Sequence, residues 1–123
     1  MGTDALEPWR ESAINWIHEH ASAIPEPAPT NYHAPRPSTL AQKYALEIIR
    51  GLPDGFFAMS ELAVTHEKGI ELEWRNNTKE LTIEILEDGS LEILHCQNDE
   101  VVRERTLPRP DWRLGSSFDW LAA

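Results

Sequence analysis

Between Gly69 and His95, apolar side chains fall on every second position: Ile70, Leu72 and Trp74, then Leu81, Ile83 and Ile85, then Leu91 and Ile93. A period of two belongs to strands with one buried face. The breaks at Asn76–Lys79 and Glu87–Gly89 carry hairpin residues, so the strands are expected to pair antiparallel with their neighbours in sequence. The polar positions in between are largely Glu71, Glu73, Glu80, Glu84 and Glu92. Glutamate is depleted in strands, which makes this face the first place to look for a function.

Turn chemistry sets the register. Glu87-Asp88-Gly89 fits a three-residue hairpin loop with glycine in the left-handed conformation. Leu86 then pairs with Ser90, Ile85 with Leu91, Ile83 with Ile93 and Glu84 with Glu92. A shift by one residue would bury a charge and is rejected. The preceding loop pairs Trp74 with Leu81, Leu72 with Ile83, Ile70 with Ile85 and Glu71 with Glu84. Glu71, Glu84 and Glu92 therefore form one row on the outer face, with Glu73 in a mixed row beside it. A fifth, edge strand is expected over Val101–Arg105. If Cys96 pairs with Val101, Arg105 closes the glutamate row beside Glu92, and Arg103 lies beside Leu94.

Upstream the period is helical. Residues 4 to 23 carry Leu6, Trp9, Ala13, Ile14, Trp16, Ile17, Ala21 and Ile24 as a broad apolar stripe. Five prolines in residues 25–37 exclude helix and central strand, so this stretch is expected to be a stiff connector holding Tyr32 and His33. A second helix spans residues 39–50, with Thr39 and Gln42 as a capping box. Its buried face is Leu40, Tyr44, Ala45, Ile48 and Ile49, with Gly51 as its C-terminal cap and Pro53 as a stop. A first strand lies within residues 56–67. The tail has a Ser116-Ser117 cap and a short FDWL helix, whose Phe118, Trp120 and Leu121, with Trp112, close one edge of the core. The expected fold is α+β: an antiparallel sheet of four to five strands with helices packed on one face. Residues 1–24 form an amphipathic helix, 25–37 a connector and 38–123 the helix-plus-sheet body, one domain overall.

Charge and cysteine content narrow the function. A net charge of −10 opposes binding to a phosphate backbone, so no direct nucleic-acid binding is expected. The single cysteine, Cys96, excludes an intramolecular disulfide and a zinc site built on several cysteines. The N-terminus lacks a leader pattern and no apolar run suits a membrane span, so the expectation is a cytoplasmic protein without membrane contact.

Sites for chemistry are sparse. His18 and His20 point about 200° apart on a helix and cannot share an ion. His95 and Cys96 face opposite sides of a strand and cannot form a nucleophile–base pair. The carboxylate row has no loop ligands that would specify a metal. No catalytic residue, metal or cofactor is expected. A protein partner is, with a basic surface that meets Glu71, Glu84, Glu92 and Glu73, or with a hydrophobic groove that accepts Trp9, Trp16 and Ile17 of the first helix. A homodimer is the variant in which that helix is exchanged.

The stretch Gly69-Ile70-Glu71-Leu72-Glu73-Trp74, followed by Leu81-Thr82-Ile83-Glu84-Ile85 and Asp88-Gly89, resembles a family of small bacterial proteins of unassigned function. In that family a helix precedes a sheet with the same glycine turn, Glu-Trp strand end and Asp-Gly hairpin. The resemblance covers residues 39 to 95. It implies a bacterial or phage setting and an accessory, antitoxin-like or defence-associated role in a multi-protein system, and it implies no catalytic residue. Two other readings stand beside non-catalytic protein binding: an acidic mimic that occupies the groove of a nucleic-acid-binding protein, and an enzyme subunit that completes an active site in trans.

Overall fold

The structure, a computed structural model, describes residues 7–22 and 36–123. Its elements are α1 (Pro8–Ser22), α2 (Thr39–Gly51), β1 (Glu61–Val64), β2 (Ile70–Asn76), β3 (Lys79–Ile85), β4 (Leu91–Gln97), β5 (Glu100–Leu107) and α3 (Leu114–Ala122). The strands form one antiparallel sheet in sequence order, β1-β2-β3-β4-β5, and the chain is α+β. Residues 25–35 of the expected connector, with Tyr32 and His33, lie outside the described residues, as do residues 1–6 and 23–24 of the expected first helix.

The central register follows from the turns. Ile70 pairs with Ile85, Leu72 with Ile83, Trp74 with Leu81 and Glu71 with Glu84. Across the next hairpin Ile83 pairs with Ile93, Ile85 with Leu91 and Glu84 with Glu92. Leu86 N donates to Ser90 O at 2.8 Å, and Gly89 takes φ +89°. That angle favours glycine, and a Cβ here would also come within 2.6 Å of the Tyr44 ring. One face of the sheet is thereby fully buried: Ile70, Leu72, Trp74, Leu81, Ile83, Ile85, Leu91 and Ile93 all have no accessible surface.

The fifth strand departs from expectation. Asn98 and Asp99 both have positive φ, as a tight two-residue hairpin turn requires. Gln97 then pairs with Glu100 and Cys96 with Val101. A bulge between His95 and Cys96 follows, and His95 pairs with Arg103, Ile93 with Arg105 and Glu92 with Thr106. The extra residue exchanges the two faces of β5. Arg103 and Arg105 turn to the helix side, and Arg105 Nη1 donates to Ser116 Oγ of α3 at 3.2 Å. Arg105 therefore does not close the glutamate row, and Leu107 gains a buried place opposite Leu91.

Helices α2 and α3 cover the buried face, and α1 packs against α2. On α2 the contact is made by Ala41, Ala45, Ile48 and Ile49, and Leu40 is 40% exposed instead of buried. Two alanines in the contact let the helix sit close to the sheet. The capping box moves as well. Ser38 is the N-cap and its hydroxyl accepts from Ala41 N at 3.0 Å, whereas Gln42 Nε2 donates to Pro37 O. Nor is Gly51 a left-handed cap. Leu52, held extended at φ −69°, ψ 144° ahead of Pro53, ends the helix.

The carbonyls left open at that end are taken by a distant side chain. Arg10 of α1 is 3% exposed and donates to Ile49 O at 2.7 Å, Leu52 O at 2.8 Å and Pro53 O at 3.1 Å, with Glu7 as its ion partner. Guanidinium suits a helix C-terminus both as a donor fork and as a positive charge at the negative end of the dipole.

On α3 the Ser116-Ser117 cap is not formed. The helix starts at Leu114 after Arg113, and the Asp111 carboxylate organises the turn by accepting from Arg113 N at 2.9 Å. Ser117 is fully buried instead, sharing a 2.8 Å hydrogen bond with His95 Nε2. Leu121 is buried, and Phe118 and Trp120 are half-buried against the core. Trp112, expected at the core edge, is 85% exposed, because Asp111 and Arg113 pin the turn with its indole outward.

Candidate functional site

The face of the sheet away from the helices carries three cross-strand rows. The first runs Ala63, Glu71, Glu84, Glu92, Thr106. A second runs Glu61, Glu73, Thr82, Leu94, Glu104, and a third Arg75, Glu80, Cys96, Val101. The expected residues Glu71, Glu84, Glu92 and Glu73 thus share one face. Glu80, read from the alternation as part of this face, lies in the third row beside Arg75, and the structure adds Glu61 and Glu104, which sequence reasoning did not place there. Glu104 could be assigned only with the bulge, and the signal for the bulge is Leu107. A leucine that must lie opposite Leu91 has the opposite parity to a Val101 paired with Cys96.

One cation stands among these carboxylates. Arg75 Nη2 lies 2.8 Å from Glu80 Oε1 and 3.6 Å from Glu73 Oε1, with its side chain largely in solvent. The favoured pair is Arg75–Glu80. Glu73 is left against two other carboxyls, and its pKa is pushed up to about 7. A side-chain hydrogen bond with Glu80 is the largest cause, followed by burial and a hydrogen bond with Glu61, while Arg75 opposes the shift. In the neighbouring row, partial burial first and then repulsion from Glu92, Glu71 and Glu67 hold Glu84 above the usual carboxylate range. Like charges directly opposite one another cost up to about 1 kcal/mol per pair. This face stores unfavourable charge that a cationic surface would relieve.

The first-helix residues are placed differently. Ile17 has no accessible surface, and Trp9 and Trp16 are half-buried against the core. Trp16 also stacks on His20 at a ring-centroid distance of 3.7 Å. With Arg10 fastened to the end of α2, Ala13, Ile14 and Ile17 of the α1 stripe are buried inside the molecule.

Neither remaining candidate for chemistry is set up as a nucleophile. His95 and Ser117 have the spacing of a base and a hydroxyl nucleophile, but they are 1% and 0% exposed. His95 stacks on Trp120 at 4.5 Å, and burial, then Arg103 and Arg105, lower its pKa. Cys96 is on the opposite face, where burial and the carboxylates of Glu80, Asp99, Glu104 and Glu73 raise its thiol pKa and suppress the thiolate. Among the described residues no three His, Cys, Asp or Glu side chains are arranged to hold a metal ion, and no helix is long and apolar enough to cross a membrane.

Comparison with protein-family models, with curated proteins and with solved structures returned no match.

Proposed function

We propose that this chain is a non-catalytic, protein-binding accessory subunit whose outer sheet face docks on a basic protein surface, in keeping with a cytoplasmic, antitoxin-like or defence-associated role in bacteria. The observation that carries the reading is the composition of that face: seven glutamates on neighbouring strands with Arg75 as their one cation. Mutual repulsion there is a standing cost, and contact with Lys and Arg side chains turns it into attraction. Docking through α1 is the weaker version, because Ile17 is fully buried and Trp9 and Trp16 are already half-buried against the core.

The test uses the full chain as bait in a lysate of its native host. Glu71→Gln/Glu84→Gln/Glu92→Gln is compared with a control of equal charge, Glu11→Gln/Glu19→Gln/Glu100→Gln. A partner with a basic surface should be held by wild type and control, lost by the face variant, and weakened steeply as salt rises above about 0.15 M. Undiminished capture by the face variant would show that the sheet face is merely solvated.

A further inference from the structure

On the helix side of the molecule, the last turn of α2, the Leu52–Phe56 loop and α3 enclose an open groove of about 580 Å3. That volume falls within the roughly 300–1,000 Å3 of ligand-binding sites. Its walls are apolar and aromatic, including Ile48, Leu52, Pro53, Phe56 and Phe118, and Trp112 stands 85% exposed at the rim. The charged residues that line it are Glu47, Asp111 and Asp119, all acidic. Asp111 is engaged by Arg113 through both carboxylate oxygens. Glu47 and Asp119 have no ion pair among the described residues.

We propose that this groove is a docking site for a short amphipathic segment of a partner protein, one that inserts an apolar side chain between α2 and α3 and presents lysine or arginine to Glu47 and Asp119. Charge selects the occupant. An acidic segment meets two unpaired carboxylates and a chain of net charge −10, and a second copy of this chain carries the same charge. Size and shape favour a peptide over a small amine. A small amine occupies only part of a groove of about 580 Å3, whereas a peptide lying along it can also cover the exposed Trp112 indole. Tryptophan is among the residue types that most often dominate binding once a partner buries them. The site lies on the helix layer, away from the glutamate face, and does not depend on that face being used.

The probe is a 12-residue peptide of leucine and lysine with leucines at helical spacing, titrated into the isotope-labelled full chain and followed by amide chemical shifts. Three further probes are its glutamate-for-lysine counterpart, hexalysine and tryptamine. The Leu/Lys peptide should shift residues 47–56 and 110–119. Trp112→Ala, which alters a solvent-exposed side chain, should weaken it about tenfold or more. Glu47→Gln/Asp119→Asn should weaken it several-fold, and Glu71→Gln/Glu84→Gln/Glu92→Gln should leave it unchanged. Hexalysine should shift the sheet rows and not the groove, and the glutamate peptide should not bind. The proposal is overturned if the Leu/Lys peptide leaves the groove amides unmoved, or if Trp112→Ala binds it as well as wild type. It is equally overturned if the glutamate peptide binds equally or tryptamine binds as tightly as the Leu/Lys peptide. The sheet-face reading fails separately, on the partner capture by its own triple variant.

Discussion

Arg10 on α1 donates from Nη1 to the carbonyl of Ile49 on α2 at 2.7 Å, across 39 residues of chain. The same guanidinium reaches the carbonyls of Leu52 and Pro53, so one buried side chain closes the end of α2 and fixes α1 beside it. Arg10→Met keeps most of the stem and removes the donors. It should cost about 2–4 kcal/mol, because buried carbonyls lose their partner. Urea unfolding checks this. Arg10→Lys should recover only part of the loss, since an ammonium cannot span several carbonyls in one plane.

Ser117 and His95 test whether that buried pair is structural. Ser117→Ala leaves the His95 Nε2 without its 2.8 Å partner in a closed site and should destabilise by about 1–3 kcal/mol. His95 has a lowered pKa, so the unfolded chain binds its proton first as pH falls below about 6.5. The stability that neutral His95 supports is therefore lost as pH falls through that value toward the lower folded pKa. In His95→Gln this acid-side loss should be smaller, as read from urea midpoints at pH 7 and pH 5.5.

Much of the fold could be read from local chemistry, and the misses have specific causes. The hairpin at Asp88-Gly89 and the alternation of Ile83, Glu84 and Ile85 fixed the central register, because any slip buries a glutamate. The row Glu71–Glu84–Glu92 followed directly. Its closure by Arg105 failed because a single bulge residue reverses a strand's faces, and Val101-Val102 reads as an ordinary edge. Gly51 looked like a cap because helices often end at glycine, but Pro53 constrains Leu52 first and Arg10 supplies the donors. That donor comes from a residue no local pattern connects to α2. The size of Trp112 points to the core, whereas the Asp111–Arg113 pair decides its direction.

Glu73 should titrate near neutrality. Its folded pKa is raised to about 7, so between about 4.5 and 7 the folded chain holds a proton that the unfolded chain has released. This contribution is fully present below about 4.5 and is lost as pH rises through 7. The window overlaps that of His95, which acts in the opposite sense, so the two must be separated by single variants. Carboxyl chemical shifts of a glutamate-labelled chain should show one midpoint near 7. Glu80→Gln should lower it, because a neutral amide removes the repulsion, is a weaker acceptor than a carboxylate for the Glu73 proton, and has an NH2 that can donate to the ionised form. A Glu73 midpoint near 4.5 in the wild type would contradict the packing of Glu61, Glu73 and Glu80.

Glu84 is a carboxylate whose removal should help the isolated chain. It is flanked by Glu71 on β2 and Glu92 on β4, and its pKa is raised by burial and by both neighbours. At pH 7 its ionised form is therefore less favourable folded than unfolded. Glu84→Gln keeps the shape and removes two like-charge contacts, and it should raise stability by a few tenths to about 1 kcal/mol. The gain should shrink as pH falls through the ordinary glutamate value of about 4.5, below which Glu84 is increasingly protonated folded and unfolded alike. Glu92→Gln removes one such contact and should gain less. Urea midpoints of the two variants at pH 7.5 and pH 4 check the order. A stabilising Glu84→Gln that also loses the captured partner would show that the row is held for binding at a cost to the free protein.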